Sequence, residues 1–174
     1  MITTASKANI KVPKKLMDAS VSKLIDRLKD EYTAHYFYRN ASNWCLNEGY
    51  LKAGAYFAEE ASTELAHAEG IQKFLIDWNV YPTFPPAKPN ITFTNLIDIV
   101  NKAYLLEYSL FESYVKDSAD VFSSDLNTFD FLTGYRSIQN ASVIEYSDLL
   151  NAANLVNVEN NFEVLYFEQT YFWG

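Results

Sequence analysis

The chain has 174 residues, which suits a single domain able to bury a substantial core without metal or disulfide support. Five glycines and five prolines are few for this length, and this favours long helices over a turn-rich β fold. The net charge of −8 argues against a nucleic-acid partner, because binding phosphates needs a basic face, and it suits a protein that attracts metal cations.

Residues 1–19 form an N-terminal extension that contains no apolar run of signal-peptide length. No stretch of the chain approaches a membrane span. The single cysteine, Cys45, excludes an internal disulfide and is compatible with a reducing compartment. The sequence therefore predicts a cytoplasmic protein with no membrane partner and no nucleic-acid partner.

Four long helical patterns follow the extension. We predict them at about Val21–Leu46, Tyr50–Trp78, Thr94–Ser118 and Asn127–Ala153. Asp18 or Ser20 is the candidate N-cap of the first helix, and Gly49 lies beyond its end. The proline-rich segment 81–90 forms a stiff connection that could cross the length of a helical bundle. The last segment, residues 161–174, is apolar enough to require burial.

The apolar stripe of each long helix, traced in alternating steps of three and four residues, is interrupted near its middle by a polar side chain. These side chains are Glu31, Glu64, Glu107 and Gln139. Ionised carboxylates in a dry core are very costly unless they are paired or bind metal, and no Lys or Arg lies on the stripes. His67 leaves the same helix face as Glu64, one turn later. Carboxylates with one imidazole suit iron better than structural zinc.

Several segments match one family. The sequence ELAH at residues 64–67 is the E-x-x-H element of ferritin-like di-iron bundles. The segments DEYTAHYFY, LLEYSLFESY and FLTGYRSIQNASVIE resemble the first, third and fourth helices of ferritins, and the chain resembles ferritins over roughly residues 20–170. This resemblance implies an all-α, ferritin-like four-helix bundle with a long crossover between its second and third helices and a short C-terminal fifth helix. It assigns residues 20–174 to a ferritin-like di-iron domain.

The resemblance also implies a function. Ferritins store iron and have ferroxidase activity, so we expect two Fe(II) ions to bind in the bundle core and to be oxidised by O2 or H2O2. The ferric product is expected to be deposited as mineral inside a homo-oligomeric, twenty-four-subunit shell. Iron in a di-iron centre is the expected cofactor, and no haem is expected, because Leu65 stands where bacterioferritins have their haem-ligating Met.

The resemblance assigns roles to individual residues. Glu31 and His67 would bind the first iron, Glu64 would bridge both irons, and Glu107 would bind the second. Gln139 matches a polar residue that hydrogen-bonds or weakly ligates at the second site. Two further residues are predicted to take part in the site. Tyr38 matches a tyrosine that can supply an electron, and Glu60 is a candidate extra or transit iron ligand.

The chain also departs from family patterns. Ser142 stands where many bacterial ferritins have a Glu, so the site resembles that of animal heavy chains, with a weakly held second iron. Bacterioferritins have a second E-x-x-H in the fourth helix, where this chain has Gln139 and Ser142. Thr63 stands where many relatives have a further carboxylate, and Ile138 stands where the bacterial third iron site would need one. We therefore do not expect that third site in its usual form.

Some residues have an alternative, purely structural interpretation. Glu60 would then be a rim carboxylate that reaches solvent, and His35 is predicted to be a core or supporting histidine rather than a ligand. Asp125 and Asp130 lie near the start of the fourth helix, where they would either cap it or line a threefold pore of a shell. The C-terminal segment would either pack at a shell axis, as the family favours, or fold onto its own bundle.

Three other functions compete with iron storage. A di-iron oxygenase or peroxidase would usually supply the second E-x-x-H that is missing here. A miniature ferritin of the DNA-protecting type would place its iron sites between subunits. A metal-free helical interaction module would tolerate apolar residues in place of the buried carboxylates.

Overall fold

A computed structural model describes residues 16–86 and 91–172, and it contains five α-helices and no strand within those ranges. They are α1 (Asp18–Glu48), α2 (Leu51–Asp77), α3 (Leu96–Val121), α4 (Leu126–Ala153) and α5 (Asn161–Tyr171). The all-α prediction is confirmed. Most of the predicted N-terminal extension lies outside the described residues, and α1 begins two residues before residue 20. None of the described helices is both long and apolar enough to cross a membrane.

The predicted N-cap of α1 is wrong. The N-cap position is held by Met17, which has an extended backbone and makes no side-chain capping bond. Asp18 is instead the first helical residue, where its negative charge interacts favourably with the positive end of the helix dipole. The capping role of Asp125 in α4 is confirmed, because its side chain accepts a hydrogen bond from the Thr128 amide at 3.1 Å.

Gly49 ends α1 in a left-handed conformation with φ of 89°. The Tyr50 amide donates a hydrogen bond to the Cys45 carbonyl oxygen at 2.8 Å across this turn. An added Cβ at Gly49 would meet no atom within 4 Å, so a side chain there would be unfavourable for backbone reasons alone.

Gly49→Ala is therefore expected to lower the free energy of unfolding by about 1 kcal/mol. Gly134 is the matched control, since it lies within α4, is exposed and also has open space around its Cα. Gly134→Ala should raise the free energy of unfolding by about 0.5–1 kcal/mol, because alanine is the better helix former. Chemical denaturation of the two variants checks this, and a loss of stability in both would contradict it.

Two hydrophobic clusters fill the core, one towards each end of the bundle. The first cluster joins the end of α1 to the starts of α2 and α3 and the end of α4. Its members include Cys45, Phe57, Val100 and Leu149. The second cluster joins the start of α1 to the end of α2, the end of α3 and the start of α4. Its members include Leu24, Leu75, Val121 and Leu132.

The connection between α2 and α3 runs from one end of the bundle to the other. Trp78 and Val80, just after α2, pack against the second cluster, whereas Phe93, just before α3, belongs to the first. Helices of 26 to 31 residues are about 40 Å long, so the connection covers a comparable distance. The predicted crossover is confirmed, although residues 87–90 within it lie outside the described residues.

The short helix α5 folds onto its own bundle, which is one of the two placements left open by the sequence. Val164, Phe167 and Phe172 are buried members of the first cluster. Glu168 is fully buried, and its Oε1 accepts hydrogen bonds from the amides of Lys52 and Ala53 at 2.7 and 3.1 Å. Because the N-cap residue of α2 provides no side-chain bond, α5 supplies the carboxylate that caps this helix.

Candidate metal centre

Each of the four long helices places one polar side chain in the layer between the two hydrophobic clusters. The four side chains are Glu31, Glu64, Glu107 and Gln139, all of them buried. They lie on the same helix faces as the core residues on either side of them, and this agrees with the stripe pattern of the sequence. The helical packing that buries the core therefore also forces three carboxylates out of water.

Glu31, Glu64 and His67 form a compact group of possible metal ligands. One ligand atom from each lies within 4.8 Å of the others. The His67 Nδ1 atom is 3.3 Å from Glu64 Oε2 and 3.6 Å from Glu31 Oε2. The spacing of three residues along α2 places Glu64 and His67 on one face, and α1 brings Glu31 to that face.

Glu107 lies outside this compact group, and both of its carboxylate oxygens accept hydrogen bonds. The Tyr38 hydroxyl donates to Oε1, and the Gln139 Nε2 donates to Oε2. The same Gln139 nitrogen lies 3.3 Å from the Glu107 carbonyl oxygen. Gln139, which the family resemblance assigns to the second site, and Tyr38, which it assigns beside the centre, thus both contact the carboxylate assigned to the second iron.

Burial and neighbouring side chains shift the pKa values of Glu31, Glu64 and Glu107. Burial raises the pKa of Glu64 well above its usual value, and the nearby charges of Glu31 and Glu107 add to this effect. Burial likewise raises the pKa of Glu107 to about 7, although the bonds from Tyr38 and Gln139 oppose it. For Glu31, bonds from His67, Glu64 and Tyr114 outweigh burial and lower the pKa. In the metal-free protein the ionisation of Glu64 is therefore disfavoured relative to that of Glu31.

Two observations show that the pocket suits a cation. Among the described residues, no Lys or Arg forms an ion pair with Glu31, Glu64 or Glu107. The Glu31 Oε2 atom is buried and accepts no hydrogen bond of ordinary length, and the His67 Nδ1 atom lies 3.6 Å from it. A buried carboxylate oxygen without a donor is costly, and a metal ion bound there would satisfy it.

A second tyrosine at the centre was not predicted from the sequence. Tyr114 is fully buried, and its hydroxyl donates to Glu31 Oε1. Its ring stacks on Tyr135 with a centroid distance of 5.6 Å, and the Arg27 guanidinium lies 5.9 Å from its centroid. Tyr114 occupies the apolar stripe two turns after Glu107, so its position predicts a core aromatic and gives no sign of the bond to Glu31.

Tyr135 contacts the backbone of His67 in the ligand group. Its hydroxyl donates to the His67 carbonyl at 2.8 Å. Gly70 lies one turn after His67, and a Cβ built there would collide with the Tyr135 hydroxyl. The glycine thus lets the tyrosine approach the backbone of α2 closely.

Glu60 and His35, like Glu107, lie outside the compact group. The Glu60 Oε2 accepts a hydrogen bond from the Tyr146 hydroxyl at 3.1 Å, and burial raises the Glu60 pKa to about 7. Glu60 is only partly buried, so it occupies the rim of the core. The His35 Nδ1 lies 2.6 Å from the Ala61 carbonyl oxygen, a contact that ties α1 to α2 and agrees with a supporting histidine.

Comparisons with known proteins agree with this architecture. A sequence model of the ferritin-like domain matches residues 21–156. The bacterial non-heme ferritin of Campylobacter jejuni is 25% identical over 149 residues, which cover 84% of this chain and 89% of that protein. An open-pore ferritin from the archaeon Archaeoglobus fulgidus superposes with a TM-score of 0.82 at 15% identity, covering 89% of this chain and 96% of the other. A humanized archaeal ferritin has the same TM-score and identity, and the match covers 89% of this chain and 94% of the other.

Proposed function

The chain belongs to the ferritin family, and from this premise we propose that it is an iron-storage subunit with ferroxidase activity. It binds two Fe(II) ions in the bundle core, oxidises them with O2 or H2O2, and deposits ferric mineral inside a homo-oligomeric, twenty-four-subunit shell. The observation that carries this proposal is the buried group of Glu31, Glu64 and His67, whose ligand atoms lie within 4.8 Å of one another. A third buried carboxylate, Glu107, is close enough to interact electrostatically with Glu64, and among the described residues no Lys or Arg pairs with any of the three. The cytoplasmic location remains a prediction from the sequence.

The proposed ligands divide between two iron positions. Glu31 and His67 hold the first iron and Glu107 the second. Glu64 bridges the two, since it lies beside His67 and interacts electrostatically with both other carboxylates. Gln139 assists at the second position, where it already contacts Glu107. A neutral amide binds a cation more weakly than a carboxylate, so the second iron is the more easily released.

Glu60 and Tyr38 have supporting roles in this proposal. Glu60 lies one turn before Glu64 on α2, at the rim of the core, where it is placed to receive iron that leaves the centre. Tyr38 donates a hydrogen bond to the carboxylate of the second position, and its role in this proposal is to supply an electron. The two Fe(II) ions provide two electrons, enough to reduce one H2O2 to two waters or one O2 to H2O2.

Metal binding should displace protons from the centre. Interactions with Glu31 and Glu64 raise the His67 pKa to about 10, despite the opposing effect of burial, and burial raises the pKa of Glu64. A metal ligand must be deprotonated, so binding releases at least one proton and the Kd for Zn²⁺, used as a redox-inert probe, should fall about tenfold per pH unit between pH 6 and 8.

Isothermal titration calorimetry in buffers of different ionisation enthalpy measures the number of protons released. His67→Gln should reduce that number by about one, because the substituted side chain carries no dissociable proton. Zn²⁺ binding whose enthalpy is the same in every buffer would contradict the proposed ligand set.

The function itself is tested by adding Fe(II) aerobically to the purified protein and following ferric absorbance. We expect oxidation well above the rate in buffer and ferric product that stays in solution with the protein. Oxidation no faster than in buffer would remove the ferroxidase proposal and leave the metal-free helical module as the better explanation. Size-exclusion chromatography tests the shell separately, and a peak of monomer size would contradict it.

The remaining rivals are less well supported. An oxygenase of the di-iron class would usually offer a second Glu and His pair from the fourth helix, where α4 offers Gln139 and Ser142. A miniature ferritin builds its iron sites between subunits, whereas Glu31, Glu64 and His67 converge within one chain.

A further inference from the structure

The two carboxylate oxygens of Glu31 have different partners. Oε1 accepts a hydrogen bond from the Tyr114 hydroxyl. Oε2 accepts no hydrogen bond of ordinary length, and the His67 Nδ1 atom lies 3.6 Å from it. Glu31 is fully buried, so bulk water does not reach either oxygen. The oxygen beside the other proposed ligand is therefore the one that lacks a donor.

Glu107 does not share this asymmetry. Its Oε1 accepts a hydrogen bond from Tyr38, and its Oε2 accepts one from Gln139. Glu107 is as deeply buried as Glu31. One bonded and one unbonded oxygen is therefore not a general result of burying a carboxylate in this core, but the result of where Tyr114 lies.

Packing and electrostatic contacts hold the Tyr114 ring in place. The ring is fully buried and stacks on Tyr135 at an interplanar angle of 22°. The Arg27 guanidinium lies 5.9 Å from the ring centroid, within the range of a cation–π interaction. Ion pairs with Asp30 and Asp117, at 2.7 and 3.2 Å, fix this guanidinium in turn. The Tyr114 hydroxyl is therefore a preorganised donor that cannot turn away without disturbing the core.

The hydrogen bond decides how Glu31 can bind a cation. A carboxylate binds a metal ion through one oxygen or through both, and binding through both occupies one more coordination position of the ion. An oxygen that already accepts a hydrogen bond has less electron density to offer a metal. Of the two Glu31 oxygens, Oε1 is thus the weaker ligand and Oε2 the stronger.

We propose that Tyr114 is a positioning residue that makes Glu31 bind the first metal ion through Oε2 alone and so keeps one coordination position of that ion open. The inference rests on the proposed function, because the open position is where the oxidant reaches the first iron. Catalytic metal sites typically keep an open position, whereas structural sites are closed. Tyr114 acts through Glu31 and is neither a ligand nor an electron donor.

The test is a crystal structure of the full chain soaked in Co²⁺, a stand-in for Fe(II) that dioxygen does not readily oxidise. Bonds from small divalent ions to carboxylate oxygens are about 2.0–2.2 Å long. In the wild type we expect Oε2 of Glu31 at this distance from the ion and Oε1 still bonded to Tyr114. In Tyr114→Phe, which keeps the ring and removes the hydroxyl, both oxygens should lie within about 2.5 Å of the ion.

The visible absorbance of Co²⁺ reports the same change in solution, because its bands weaken as the coordination number rises. At one equivalent of Co²⁺ per chain, Tyr114→Phe should absorb less per bound ion than the wild type. Tyr135→Phe is the matched control, since it removes the hydroxyl of the other stacked ring, which donates to a backbone carbonyl. Its Co²⁺ absorbance and its Glu31 coordination should be those of the wild type.

The open position also has a kinetic consequence. When Glu31 occupies it in Tyr114→Phe, the rate of Fe(II) oxidation at saturating Fe(II) should fall about 10–100-fold. Oxidation at the wild-type rate by a variant in which both Glu31 oxygens bind the ion would show that the position is not used by the oxidant, and it would contradict the proposal.

Three structural results would overturn the role of Tyr114 while leaving the proposed function intact. They are wild-type Co²⁺ bound to both Glu31 oxygens, Tyr114→Phe in which Glu31 still binds through one oxygen, and Tyr135→Phe in which it binds through two. Wild-type crystals with no ion beside Glu31 and His67 at saturating Co²⁺ would instead remove the proposed function as well. The wild-type result needs no variant, so it decides even if Tyr114→Phe fails to fold, which circular dichroism establishes.

Discussion

Glu64→Gln is expected to lower the initial rate of Fe(II) oxidation at least about 100-fold, because it removes the carboxylate proposed to bridge both iron ions. The same substitution should change the free energy of unfolding of the metal-free protein by less than about 1 kcal/mol. Burial raises the pKa of Glu64 and so favours its neutral form, and glutamine has nearly the same shape. Ferric absorbance and thermal unfolding of the metal-free protein measure the two effects.

Glu69→Gln is the matched control for this variant. It makes the same chemical change on the same helix, but at an exposed position. Its oxidation rate and stability should both equal those of the wild type. If Glu64→Gln unfolds the protein, or oxidises iron at the wild-type rate, Glu64 is a structural residue and the bridging role is wrong.

Glu168→Ala should produce the largest loss of stability among these variants, about 2–4 kcal/mol in the free energy of unfolding. The substitution leaves the amides of Lys52 and Ala53 without an acceptor at a buried helix end, and it removes a negative charge from the positive end of α2. For a chain of this size the melting temperature should fall by about 5–12 °C. Scanning calorimetry measures that fall, and hydrogen exchange should accelerate at the two amides.

Two further variants test this cause. Glu168→Gln keeps an acceptor oxygen but loses the charge, so it should cost about 1 kcal/mol. Thr170→Ala changes an exposed residue of the same helix and should shift stability by less than about 0.5 kcal/mol. Equal destabilisation by Glu168→Ala and Thr170→Ala would show that the loss comes from α5 as a whole and not from the capping carboxylate.

The helices and their inward faces were predictable because their signals are local. A stripe with a period near 3.6 residues identifies a helix and its buried face within one or two turns. Glu31, Glu64, Glu107 and Gln139 lie on those stripes, so their burial follows from the sequence once the stripes are traced. The predicted helix bounds differ from the observed ones by no more than three residues at either end, the usual uncertainty at helix termini.

The features that sequence missed depend on contacts between distant residues. The bond from Tyr114 to Glu31 joins residues 83 apart, and the cap from Glu168 to Ala53 joins residues 115 apart. Tyrosine on an apolar stripe is typical of a core position, and a glutamate in a C-terminal segment is typical of a surface. Only the packing of α3 against α1 and of α5 against α2 reveals what these side chains bond. The predicted N-cap of α1 was wrong because two equally suitable capping residues, Asp18 and Ser20, lie just inside the helix.

The capping of α2 by Glu168 sets an order of events during synthesis. The amides of Lys52 and Ala53 leave the ribosome 116 and 115 residues before the carboxylate that will bond them. At about 5–20 residues per second, the ribosome needs about 6–23 s to make that stretch. Throughout this interval the amides of Lys52 and Ala53 at the start of α2 lack the carboxylate that accepts their hydrogen bonds. A nascent chain halted before residue 168 would therefore expose this uncapped helix end to chaperones.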